Sequence, residues 1–185
     1  MHLTPEEFRR WPHRAITLLG MSGVGKTTLA RRLPTTSWFH YSGDYRIGTR
    51  YVREPFIDDV KHEMMKVPFL RALLRSDSIY VDSNITYQNL EPIAAFLGKL
   101  GAPEKGGLPL AEFQRRQALH LAAETAAMRD VAEFIVKGQH IYGYDHFLND
   151  AGGSVCEIDD PGMFDVLAKH TVILYLRAGE DMEEE

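Results

Sequence analysis

Along the chain, short hydrophobic runs alternate with longer stretches of helical spacing. Ala15-Ile16-Thr17-Leu18-Leu19 is a continuous run without a strand-length polar face, the pattern of a strand covered on both sides in a parallel sheet, and it ends at Gly20. Before it, Thr4-Pro5-Glu6-Glu7 predicts a short helix that stops at Pro12, with Thr4 as N-cap, Pro5 in the first helical position and Glu7 closing a capping box. Residues 26–33 predict a helix halted before Pro34, and residues 37–41 a second strand closed by Ser42-Gly43-Asp44. Strand, glycine loop, helix, strand is a βαβ unit. Residues 56–74 carry Val60, Met64, Val67 and Leu70 or Leu74 on one helical face, with Pro68 placed to kink or split the helix. A helix over 90–100 and a loop over 101–107 follow. The longest helical pattern, 109–136, puts Leu110, Phe113, Leu121, Met128, Val131 and Ile135 on a core-facing stripe and has Gly138 as its expected stop. Residues 146–149 predict a third strand ending at Asp150-Ala151-Gly152-Gly153, then a helix over 161–168 and a fourth strand over 171–176.

Four strands alternating with helices predict a three-layer α/β fold with right-handed crossovers. The parallel sheet is expected in the order 2-3-1-4, which puts the ends of the second and third strands near the glycine loop that follows the first, where ligands of open α/β sheets bind. No internal repeat interrupts the pattern, so residues 1–185 are expected to form a single domain with a long, mostly helical insert over about 45–140 between strands two and three.

The chain has 185 residues, 44% hydrophobic and 25% charged, which suits one globular domain and excludes disorder. No apolar run approaches the roughly 18 to 20 residues that span a bilayer, and the start carries no signal peptide pattern, so a soluble cytoplasmic protein without a membrane role is expected. The single Cys156 excludes an internal disulfide or a cysteine metal knuckle and is expected to be a small buried filler. Net charge is −5, unevenly spread: 13 Lys and Arg face 7 Asp and Glu up to Arg75, and 8 face 19 after it. A basic front half suits an anionic small ligand. The overall pI near 5.9 argues against nucleic acid as a partner. Composition predicts no particular oligomeric state.

The chemistry-bearing motif is Gly20-Met21-Ser22-Gly23-Val24-Gly25-Lys26-Thr27-Thr28, which fits GxxxxGK[ST] and sits between a hydrophobic strand and a helix, where that motif belongs. Glycines let the backbone wrap a phosphate with its N–H groups inward, and Gly20, Ser22, Gly23, Val24, Gly25, Lys26, Thr27 and Thr28 are the candidate nucleotide-binding residues. Lys26 supplies a mobile point charge for the β- and γ-phosphates, and the Thr27 hydroxyl is a hard oxygen suited to Mg²⁺.

This loop marks the P-loop NTPases, and the rest of the chain resembles the nucleoside-monophosphate kinase group, in particular its shikimate and gluconate kinase branch. Shikimate kinases carry two Asp separated by one residue after the second strand, followed by an isoleucine. Here Ser42 stands at the first Asp, Asp44 at the second and Ile47 at the isoleucine. Gly152-Gly153-Ser154 is similar to the family's glycine triplet after the third strand, with the last glycine changed. The resemblance covers residues 15–44 and 144–177. It implies ATP and Mg²⁺ as cofactors, Asp44 as catalytic beside Lys26, and Asp44, Gly152 and Gly153 as acceptor-binding residues. These kinases continue past the fourth strand with an arginine-bearing lid, a fifth strand and an adenine loop. The expectation is therefore a fragment without the fifth strand, cut where Glu180 to Glu185 begin an acid-rich helix.

Asp150 ends the third strand and resembles the acid that partners the nucleotide metal, so Thr27 and Asp150 are the candidate metal ligands. Asp150-Ala151-Gly152-Gly153 also fits the DxxG pattern of GTPases, without an NKxD or TKxD base-reading motif. Arg50 lies where kinases of this group hold an anionic substrate, and arginine suits bidentate recognition of carboxylate or phosphate. Arg71, Arg75, Arg115 and Arg116 are expected on the surface. The eight histidines make no HExxH or HxH pattern, which argues against zinc. The resulting expectation is an ATP-dependent kinase acting on a small acceptor bound over the 45–140 insert. The alternative is a nucleotide-dependent regulatory ATPase or GTPase whose insert binds a partner.

Overall fold

In the computed structural model, which describes residues 3–177, strands β1 (Ala15–Leu19), β2 (Trp38–Ser42), β3 (His146–Asp150) and β4 (Val172–Tyr175) form one all-parallel open sheet of order β2-β3-β1-β4. That is the expected α/β class and the expected strand order. The acidic end, 180–185, lies outside the described residues. The helices are α1 (Pro5–Arg10), α2 (Lys26–Ala30), α3 (Gly43–Arg46), α4 (Arg53–Met64), α5 (Pro68–Arg75), α6 (Glu91–Leu97), α7 (Leu110–His140) and α8 (Pro161–His170). None among the described residues is long and apolar enough to cross a membrane.

The chain forms two compact units. One, residues 3–44 with 124–177, holds the whole sheet; the other is Tyr45–Ala123. The second therefore takes only part of the insert expected over 45–140, because the later turns of α7 belong with the sheet.

In the first unit every residue of β1 is buried. A polar ladder crosses this sheet: Asn149 Nδ2 donates to Thr17 Oγ1 at 3.3 Å, and Thr17 and Thr171 hydroxyls lie 2.8 Å apart, all three side chains fully buried. A one-residue slip would move these groups to the other face and break the ladder, so it pins the register. On β2, Phe39 stacks on Phe147 at 5.7 Å and the Tyr41 hydroxyl donates to Ala127 O on α7 at 2.7 Å. The capping box of α1 forms as its sequence predicts, with Glu7 N donating to Thr4 Oγ1 and Thr4 N to Glu7 Oε2.

Several elements differ from expectation for local reasons. α2 ends at Ala30 rather than Leu33, because the backbone tightens to three-residue turns, Arg32 N to Leu29 O and Leu33 N to Ala30 O, ahead of Pro34. Gly138 does not stop α7 but lies inside it, where a Cβ would come 3.4 Å from the Phe39 ring. The stop is Gly143 (φ +72°), whose N–H donates to Gln139 O at 3.2 Å in the left-handed C-cap geometry. Cys156 is half-buried rather than buried.

In the second unit a π-helical turn, Ile47–Val52, leads into α4, and Pro68 splits the helix expected over 56–74 into α4 and α5 by holding Val67 extended (φ −94°, ψ 117°). Ile47, Val52, Ile57, Ile93 and Phe96 are buried here. Arg116, expected on the surface, has a side chain only 16% exposed: it pairs with Glu112 and Asp59, donates to Phe96 O at 2.6 Å and lies over the Phe96 ring. Its aliphatic stem and planar head let it pack where a shorter cation would not. By contrast α5 has no buried residue, and Phe69 is 70% exposed.

Candidate functional site

β1 runs into the glycine loop at its carboxyl end, and the loop hands the chain to α2 through Gly25, whose φ of +93° is open to glycine and strained for other residues. Gly20 is buried, Val24 half-buried, and Met21, Ser22, Gly23, Thr27 and Thr28 are exposed. Among the described residues, the N–H groups of Ser22, Gly23, Val24 and Gly25 donate to no backbone carbonyl, so the loop presents successive uncommitted donors. With five residues α2 has a small dipole, and any attraction for an anion comes from these amides and from Lys26. Lys26 is 7% exposed and folds over the loop, its Nζ donating to Gly20 O at 2.6 Å and to Met21 O at 2.8 Å.

Thr27 and Asp150, 123 residues apart in sequence, meet here: Thr27 Oγ1 donates to Asp150 Oδ2 at 2.8 Å. Burial pushes the Asp150 carboxyl above its usual range, against the opposing pull of the Thr27 hydrogen bond and of Lys26, His40 and Arg31. Burial likewise pushes the His40 imidazole down, with Asp150 opposing. The two shifts agree that desolvation outweighs the attraction between these groups.

The strand register pairs Ser42 with Asp150, which brings the end of β2 beside the end of β3. Asp44 then falls in α3 rather than in a loop, half-buried, with its Oδ1 2.7 Å from where a Cβ on Gly152 would sit. Gly153 lies still closer to the glycine loop, since a Cβ there would come 2.6 Å from Ser22 N and 3.0 Å from Ser22 Cα. Lys26, Thr27 and Asp150 thus form one cluster at the carboxyl edge of the sheet, and Asp44 and Gly152 another, with Gly153 against the loop.

Glu124 belongs to no sequence motif. It sits on α7 with 3% exposure, accepts a hydrogen bond from Ser154 Oγ, and has its Oε1 3.7 Å from the Gly152 Cβ position. The available signal was a lone carboxylate on an otherwise apolar stripe, with Ala127, Met128 and Val131 on the same face.

Arg50 belongs to the second unit, exposed on the π-helical turn. It lines a groove of about 430 Å³ with Arg53, Glu54, Lys61, Tyr80 and Asp82 among others. One wall is built by Asp82, which accepts from Arg53 Nε at 2.9 Å and Nη2 at 2.5 Å and from the Tyr80 hydroxyl at 2.7 Å. These bonds hold the Asp82 carboxyl at about 2. No protein-family model matches the chain, and no curated protein matches it.

Proposed function

We propose that this protein is an ATP-dependent kinase of the P-loop class, with a three-layer core, that transfers the γ-phosphoryl group of ATP to a small acceptor. The observation that carries the reading is the Thr27 to Asp150 hydrogen bond. It joins the hydroxyl that closes the glycine motif to the carboxylate that ends β3, next to an ammonium that reaches the loop carbonyls. Chance has little reason to bring that set together in one corner of the sheet, and ligands of open α/β sheets bind outside the strand carboxyl ends.

Thr27 Oγ1 and Asp150 Oδ2 are hard oxygens in one spot, and burial of the carboxylate gives a cation something to neutralise, so the donor set fits Mg²⁺. Mg²⁺ bound with a nucleotide takes most of its ligands from phosphates and water, so two protein oxygens suffice. Mg²⁺ would supply charge neutralisation on the phosphates. In this reading Lys26 leaves the loop carbonyls for the β- and γ-phosphates, and the loop amides take phosphate oxygens. The acceptor hydroxyl gives its proton to Asp44 as its oxygen bonds to phosphorus and the bond to the ADP oxygen breaks. Gly152 and Gly153 offer backbone to the acceptor, and within the second unit Arg50 gives its groove a charge suited to an anionic group.

A second reading, a nucleotide-dependent regulatory ATPase or GTPase whose 45–123 unit binds a protein, draws on α5, which leaves Phe69 and its neighbours uncovered. Turnover stimulated by an added small acceptor favours the kinase; turnover indifferent to every acceptor favours the regulator. The defining experiment is calorimetric titration of wild type and Thr27→Ala with ATP, in Mg²⁺ and in chelator. Wild type should bind ATP more tightly with Mg²⁺, and Thr27→Ala should lose that gain. ATP binding that is absent, or indifferent to both Mg²⁺ and Thr27, refutes the proposal.

A further inference from the structure

Glu124 is an expensive choice for its position. A carboxylate 3% exposed on a helix face shared with Ala127 and Met128 costs desolvation that an alanine or leucine there would avoid. Its contact explains the choice. Ser154 Oγ donates to Glu124, and Ser154 is the second residue of the 3-10 turn Gly153–Glu157 that follows β3. The first residue of that turn, Gly153, is pressed against Ser22 of the glycine loop so closely that a Cβ would meet its N at 2.6 Å, its Cα at 3.0 Å and its Cβ at 3.1 Å. Carboxylate, hydroxyl, glycine and loop therefore form a continuous mechanical contact.

We propose that Glu124 is a positioning residue for the glycine loop, holding the Gly153-Ser154 ledge against which Ser22 rests and so keeping the loop amides in phosphate-binding order. The proposal deepens the ATP reading and rests on it for its functional consequence, but the positioning itself is a property of the protein alone. Without the Ser154 bond the 3-10 turn is free to lift from Ser22, and the uncommitted donors of Ser22 to Gly25 lose the ledge that supports the loop. Binding an anion would then have to order the loop as well as contact it, which weakens affinity.

The test compares backbone ¹⁵N order parameters in the ligand-free protein and ATP affinity for wild type, Glu124→Ala, Glu124→Gln, Ser154→Ala and the Glu124→Ala/Ser154→Ala pair. Wild-type loop amides should report rigid backbone, with order parameters near about 0.85, falling below about 0.6 in Glu124→Ala and Ser154→Ala. Glu124→Gln keeps an acceptor oxygen for the serine and should restore both order and affinity. ATP affinity should fall in each alanine variant, by no more than the roughly 10- to 150-fold that one hydrogen bond to a charged group is worth, and no further in the pair. Unchanged loop order parameters in Ser154→Ala overturn the proposal, as does loosening that extends equally to Ile16–Leu18 and Phe147–Asn149, the mark of a general packing defect. Ser154 is exposed and loses only a hydroxyl, so it decides the matter should Glu124→Ala fail to fold. Loop loosening in a protein whose wild type binds no ATP upholds the positioning and refutes the kinase reading instead.

Discussion

Replacing Lys26 with methionine keeps most of the aliphatic stem and removes the ammonium. In the structure that ammonium spends its hydrogen bonds on Gly20 O and Met21 O, at 2.6 and 2.8 Å. A unit charge about 4 Å from a phosphate oxygen gains about 4 kcal/mol at an effective dielectric of about 20. Against this stands what the ammonium gives up on leaving its two carbonyls, about 1 to 3 kcal/mol. The difference, about 1 to 3 kcal/mol, predicts that Lys26→Met binds ATP roughly 5- to 150-fold more weakly than wild type. The loss should persist at high salt, because an ammonium enclosed between the loop and a bound phosphate is shielded from mobile ions far less than a surface lysine. The same substitution leaves the buried Gly20 carbonyl without this donor, so a melting temperature a few degrees lower is expected, about 2 to 4 °C per kcal/mol for a chain of this size. Isothermal titration with ATP and Mg²⁺ at two salt concentrations, with thermal melts as control, measures both. A folded Lys26→Met protein with ATP affinity within about twofold of wild type would refute the reasoning, since 1.4 kcal/mol corresponds to about tenfold.

Three further outcomes are expected. Burial raises the Asp150 carboxyl, so the folded state holds that proton more tightly than the unfolded one and stability falls as pH rises through the carboxylate range. Asp150→Asn should therefore melt higher than wild type at neutral pH, with the gain vanishing toward acid, while losing the Mg²⁺ enhancement of ATP binding; melts across pH check the sign. Asp44→Asn should cut phosphoryl transfer by about 10² to 10⁴ with ATP affinity unchanged, as for loss of a general base, in single-turnover assays with an acceptor that stimulates turnover. Arg50→Ala should weaken the binding of a small anion, phosphate or carboxylate, to the groove of the second unit, followed by calorimetric titration; an anion affinity unchanged by the substitution contradicts its assignment.

The sequence by itself determined what local chemistry controls. β1 is legible because five residues without a polar face suit only a strand covered on both sides, and α1 because Thr4, Pro5 and Glu7 satisfy its first amides without outside help. The glycine loop is legible because positive φ at Gly23 and Gly25 is a demand on single residues. The alternation of strands and helices was enough for a parallel α/β sheet with right-handed crossovers, while the order β2-β3-β1-β4 was expected from putting the ends of β2 and β3 beside the glycine loop, where ligands of such sheets bind. What tertiary structure decided involves partners far apart in the chain. Gly138 reads as a helix stop, and only the Phe39 ring across from it shows that the glycine serves close packing inside α7. Arg116 reads as surface until Asp59 and Phe96 surround it. Glu124 reads as one acid among many on a long helix, and only the turn after β3, which brings Ser154 to the middle of α7 and Gly153 to Ser22, shows what it touches. Periodicity assigns a face to each helix, but which loop that face meets depends on how the elements pack.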